Sequence, residues 1–247
     1  MQNECVFLHG WGMNKNVWQL LIPELKSEIS MPIKTLDLPG FGNEITCPQP
    51  YNLVNVANHI ATKLADNSIL IGWSLGGLIS LYIAKHYPEK VAKVILVASS
   101  PYFTEQDNWS GIKPDVLKAF MSQLSTNTNK TIDRFLAIQA MGSDSAKQDI
   151  KQLKQSIKSA PEPQKIALSI GLDFLLTEDL RSLFSELSMP LYGIFGALDA
   201  LVPIKAVAKI HALNPNFSAE IIPKASHAPF ISHKPDFIKL IKKILKN

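Results

Sequence analysis

The chain has 247 residues, 46% hydrophobic and 19% charged, and a net charge of +4 carried mostly by lysine, since Arg134 and Arg181 are its arginines. This suits one large globular domain, or a domain with an insertion, and offers none of the long basic runs expected of a nucleic-acid partner. Cys5 and Cys47 are too few for a disulfide framework or a zinc site. They read as core thiols in a reducing compartment, and with no leader segment and no apolar run of the ~18 residues that cross a bilayer, the expected location is cytoplasmic, away from membranes.

In chain order, short apolar runs at 5–8, 33–36, 69–72 and 94–98 alternate with helical patterns at 16–25, 53–64 and 75–87. Such alternation predicts a parallel sheet buried on both faces. After Ser100 the strand pattern stops, and four amphipathic stretches follow at 115–124, 130–141, 146–158 and 164–176, with the polar segment 122–130 expected as an exposed interhelical loop. Strands resume at 191–195 and 219–222, with helices at 204–213 and 235–245. The expected architecture is therefore α/β: a mostly parallel, doubly wound sheet formed by residues 1–100 and 188–247, with a helical lid inserted over 101–187. Turn chemistry at Pro101, at Gly111-Ile112-Lys113-Pro114 and at Ser188-Met189-Pro190 marks the boundaries.

Gly72-Trp73-Ser74-Leu75-Gly76-Gly77 joins the third strand to the third helix. A serine on such a turn exposes its hydroxyl beside a helix N-terminus, the arrangement of a nucleophile elbow, although the same string also occurs in ordinary glycine turns. The remaining parts of a hydrolytic site lie downstream. Asp199 follows the strand at 191–195, and His227 follows the strand at 219–222, giving the order Ser74, Asp199, His227. Asp199 could instead be a solvated loop acid. His59, His86 and His211 fall on helical patterns, and His233 lies beyond the last turn.

His9-Gly10-Trp11-Gly12 directly follows the first strand, where the Trp11 backbone can donate one oxyanion N–H and Leu75 the other. A plain tight turn is the simpler alternative. Asp37, in Asp37-Leu38-Pro39-Gly40-Phe41-Gly42, is read as holding local backbone. Trp11, Trp73, Phe120 and Phe135 can line an acyl pocket or serve as core. Lys147, Lys151, Lys154 and Lys158 recur within about 60° on one helix, with Lys130 and Arg134 on the helix before. A solvated face and an acid-binding surface are both open to such a stripe.

These strings, with Ala98-Ser99-Ser100-Pro101, Gly111 to Leu117, Arg134-Phe135-Leu136-Ala137 and His227-Ala228-Pro229-Phe230-Ile231-Ser232-His233, resemble the α/β-hydrolase superfamily. More narrowly, the chain is similar to the pimeloyl-acyl-carrier-protein methyl ester esterases of biotin synthesis. The resemblance implies hydrolysis of a pimeloyl methyl ester borne by acyl carrier protein; a monomer is expected, and a serine mechanism calls for no metal or organic cofactor. It also implies a triad of Ser74, Asp199 and His227, and substrate contacts at Trp11, Leu75, Phe135, Leu136, Ala137, Ile138 and Gln139. Carrier docking is implied at Lys130, Arg134, Lys147 and Lys151, where lysine stands for arginine at most positions and loses its bidentate geometry. The chain also begins only a few residues before the strand feeding His9, shorter than the family pattern. A general short-chain carboxylesterase, a carbon-carbon bond hydrolase with the same triad, or a ligand receptor on a hydrolase scaffold are the competing expectations.

Overall fold

A computed structural model describes residues 4–246. Its centre is a six-stranded sheet of β1 (Cys5–Leu8), β2 (Ile33–Leu36), β3 (Ser68–Trp73), β4 (Val91–Val97), β5 (Leu191–Gly196) and β6 (Phe217–Ile222), in the order β2-β1-β3-β4-β5-β6. All five pairings are parallel. β1 and β3 are buried at every residue, which explains their unbroken apolar sequence, whereas the edge strand β6 has a mixed, half-exposed pattern.

Alternate residues of each strand feed two separate cores, as the two-residue period of a strand requires. Val6, Leu8, Leu70, Val94 and Leu96 join one. Cys5, Phe7, Ile69, Ile71, Ile95 and Val97 join the other. The first is covered by α2 (Leu53–Ala61) and α3 (Leu75–His86), and the second by α1 (Ile22–Glu28) and the C-terminal helix Lys234–Lys246. Because the chain leaves β1 for β2 and returns on the other side of β1 to β3, the order reverses between β1 and β3. Ligand and catalytic groups gather beyond the strand ends at such a point.

Between β4 and β5 stand α4 (Pro114–Thr126), α5 (Thr128–Gln139), α6 (Ala146–Lys158) and α7 (Lys165–Thr177), followed by the short α8 (Arg181–Ser185). The remaining helices are α9 (Ile204–Leu213), α10 (Pro229–Ser232) and α11 (Lys234–Lys246). Two expectations need correction. The helix expected over 16–25 is a 3-10 turn at Lys15–Trp18 and then α1, because Pro23 cannot continue a helix from upstream but suits a first turn. The loop expected over 122–130 is almost wholly helical. Asn127 alone separates α4 from α5: its backbone is extended, and its side chain accepts from the Lys130 N–H at 2.9 Å to start the next helix.

Among the described residues, no helix is long and apolar enough to cross a membrane, and no group of three or more His, Cys, Asp or Glu is placed to hold a metal ion. Cys5 and Cys47 are free; burial pushes the Cys5 thiol up to about 11.

Candidate active site

Ser74 stands between the last residue of β3 and the first of α3, with φ 53° and ψ −119°. A side chain in that region is strained by about 1–3 kcal/mol, and the surrounding packing must hold it there. Here the Ser74 N–H donates to Val97 O at 3.0 Å, and Ser99 Oγ donates to Ser74 O at 2.7 Å. The turn closes so tightly that a Cβ on Gly72 would lie 2.5 Å from Gly76 O, and one on Gly76 would lie 2.6 Å from Leu8 O. Glycine is therefore required at both positions.

Asp199 follows β5, and its two carboxylate oxygens have separate tasks. Oδ1 accepts the N–H groups of Leu201 and Val202 at 2.8 and 3.0 Å, while Oδ2 accepts from His227 Nδ1 at 2.8 Å. Both side chains are fully buried. With its proton on Nδ1, the imidazole presents an unprotonated Nε2. This Nε2 is buried without a partner among the described residues, so no hydrogen bond joins it to Ser74 Oγ. Catalytic hydrogen bonds are often long before substrate binds. The His227 backbone is pinned on the β3 side, where Trp73 Nε1 donates to His227 O at 2.8 Å.

At the end of β1, both ring nitrogens of His9 are engaged. Nδ1 donates to Gly10 O at 2.8 Å, and Nε2 accepts the Leu38 N–H at 3.0 Å. Burial lowers this imidazole from 6.5 to about 4, keeping it neutral. Fixing the Gly10 carbonyl also fixes the N–H of Trp11, which shares its peptide plane. Among the described residues, no protein acceptor takes the backbone N–H of Trp11 or of Leu75. The fixed His9 tautomer was not legible from the sequence; its one signal is a histidine placed directly after a strand.

The expected substrate contacts divide. Trp11, Leu75, Phe135, Leu136 and Gln139 are buried, with the Trp11 and Phe135 rings 4.8 Å apart. Trp11 Nε1 donates to Leu168 O on α7 at 2.8 Å, tying the β1 loop to the helical insertion. Ile138 is half-buried and Ala137 is exposed, because five consecutive residues of a helix cannot face one side. Asp37 holds local backbone as expected, accepting the Asn43 N–H at 3.0 Å, and beyond that expectation also accepts the N–H of Lys15, in the 3-10 turn after β1, at 2.7 Å.

Lys130, Arg134, Lys147 and Lys151 are exposed. The stripe is nonetheless divided. Lys154 of α6 pairs with Asp133 of α5 at 2.8 Å, while Arg134 turns to α4, lying 5.4 Å over the Phe120 ring and donating to Gln123 Oε1 at 3.4 Å. Between α5 and α6 opens a groove of about 450 Å³, lined by Ile132, Leu136 and Ile157, with Lys154 and Lys158.

Residues 6–234 match the family model described as the alpha/beta hydrolase fold. The chain belongs to the α/β-hydrolase family. Among curated proteins, it is 48% identical over 235 residues to a pimeloyl-[acyl-carrier protein] methyl ester esterase of Pseudoalteromonas atlantica, covering 94% of this chain and 90% of that one. A protein of the same name from Pectobacterium atrosepticum is 42% identical over 239 residues, covering 96% and 92%. Among solved structures, an esterase from Exiguobacterium antarcticum superposes with a TM-score of 0.86 at 21% identity, covering 99% of this chain and 92% of that one. At that identity the likeness speaks for the fold alone.

Proposed function

We propose that this α/β hydrolase is a serine esterase that cleaves the methyl ester of pimeloyl-acyl-carrier protein, yielding methanol and the free acid on its carrier. The observation that carries this is the identity of 48% and 42%, over almost the whole chain, to two esterases of that name. The buried Asp199–His227 bond, with the His227 carbonyl held by Trp73 next in sequence to the strained Ser74, supports the chemistry.

His227 Nε2 takes the proton of Ser74 Oγ as that oxygen attacks the ester carbonyl. The developing oxyanion is met by the Trp11 and Leu75 N–H groups, each worth about 3 kcal/mol in the transition state. Nε2 then protonates the methoxide, and methanol leaves. A water molecule, deprotonated by the same imidazole, attacks the acyl-Ser74 carbonyl, and the proton returns to Oγ as the acid departs. Asp199 holds the tautomer and stabilises the imidazolium. Residues 101–187 act as a lid, with Phe135, Leu136 and Gln139 toward the acyl chain. Lys130, Arg134, Lys147 and Lys151 receive the acidic carrier, an attraction that weakens with salt.

Growth without biotin tests this proposal. Cells lacking their own esterase should be restored by this protein and not by its Ser74→Ala variant. Failure of both, with the protein expressed and active on aryl esters, would point to a general carboxylesterase.

A further inference from the structure

The last carbonyls of a helix have no donors within it and must find them elsewhere. At the end of α5 the donors come from the loop that carries His227. The Gln139 carbonyl accepts the His227 N–H at 3.1 Å and lies 2.9 Å from Ser226 Oγ, which is also 3.0 Å from the Met141 carbonyl. Ser226 is buried, so water cannot readily replace it. The same turn reaches the other arm of the site. A Cβ on Gly142 would come within 3.3 Å of Leu198, the neighbour of Asp199. Beyond it, Ser143 Oγ and Ser145 Oγ donate to the buried Asp149 Oδ2 at 3.1 and 3.0 Å, which fixes the turn to α6.

We propose that Ser226 is a positioning residue: its hydroxyl ties the His227 loop to the end of α5, so that the aim of the imidazole at Ser74 depends on how the helical insertion is docked. This rests on the roles given above to Ser74 and His227, and adds to them a group that never touches the reacting atoms. On its β3 side the loop is anchored by Trp73, through the His227 carbonyl. On its α5 side, among the described residues, the hydrogen bonds that meet the helix end come from two consecutive residues, 226 and 227. Without the hydroxyl, the Met141 carbonyl loses that donor, and one main-chain bond remains to hold the loop against α5. Nε2, which has no protein partner among the described residues, takes its direction from the Nδ1 bond to Asp199 together with that anchorage of the main chain. Displacements of about 1 Å at a reacting centre cost up to roughly 10²-fold in rate.

The test measures kcat and KM on a small free methyl ester for the parent, Ser226→Ala and Ser226→Thr, with thermal melting and the proton NMR signal of the His227 Nδ1–H. Ser226→Ala should lower kcat about tenfold while leaving KM within about twofold, and should broaden the Nδ1–H signal through faster exchange. Ser226→Thr, which keeps the hydroxyl, should recover both. The proposal is overturned by a folded Ser226→Ala enzyme with parental kcat, by equal losses in the Thr and Ala variants, or by an Ala variant that fails to fold and so marks the residue as purely structural. Ser74→Ala, run alongside, separates this from the catalytic assignment: if it retains parental turnover, it is the roles of Ser74 and His227 that fail.

Discussion

The loops at the carboxyl ends of β1, β3, β5 and β6 are held by what surrounds them, whereas the outer surface of α5 and α6 is held mainly by its own helices. Ser74, Asp199 and His227 are buried, and the last two share a 2.8 Å hydrogen bond. Lys130, Lys147 and Lys151 stand in solvent. A group fixed in a dry site acts on the reacting bond, because its field is unscreened and needs no reorganisation. A charge on a mobile stem in water acts on approach instead, and its effect decays with ionic strength. Substitutions in the two regions should therefore differ in both size and kind.

The largest effect is expected from Ser74→Ala, which should reduce ester turnover by on the order of 10⁴-fold or more in a folded protein and abolish labelling by a fluorophosphonate. Asp199→Asn should come next, at roughly 10⁴-fold in kcat. Since Oδ1 already accepts two backbone N–H groups, an amide there turns its NH₂ toward His227 and forces the proton onto Nε2. A kcat within tenfold of the parent would mean that the tautomer does not matter.

Stability should show the same contrast. Gly72→Ala drives a Cβ to 2.5 Å from backbone, and should cost at least about 1–3 kcal/mol in urea denaturation, while Lys147→Ala should stay within about 0.5 kcal/mol. His9 adds a pH dependence. Its imidazole stays neutral down to about 4, against 6.5 ordinarily, so between those values the unfolded chain binds a proton that the folded chain does not. That contribution to stability is complete above pH 6.5 and is lost as pH falls toward 4. The gap in urea midpoint between the parent and His9→Asn should narrow over that interval; a constant gap would contradict it.

The smallest effect belongs to the lysine face. Arg134→Glu with Lys151→Glu should slow turnover of carrier-linked ester several-fold at low salt, less at high salt, and leave a small free methyl ester unchanged. Equal losses on both substrates would erase the distinction between the two regions.

The same contrast explains what was legible in the sequence. All six strands, the turn at Ser74 and the positions of Asp199 and His227 after β5 and β6 could be read, because glycines and small residues at fixed offsets after apolar runs record those turns. The start of α1 and the junction at Asn127 were misread, since one proline and one cap override a helical period. The divided stripe was invisible for a different reason. Helical spacing places Lys154 and Arg134 on angular positions, but whether each meets Asp133 or Phe120 depends on how α4, α5 and α6 pack together. Ser226 carries no motif at all; its partners lie 87 and 85 residues away.

The central claim is that Ser74, activated by His227, cleaves the methyl ester on the carrier. Mass spectrometry of pimeloyl-acyl-carrier protein methyl ester, incubated with parent and Ser74→Ala protein, tests it most directly. The carrier should lose the mass of one CH₂ unit, with release of methanol, in the presence of the parent alone. An unchanged carrier mass with an active parent enzyme, or equal conversion by Ser74→Ala, would contradict it.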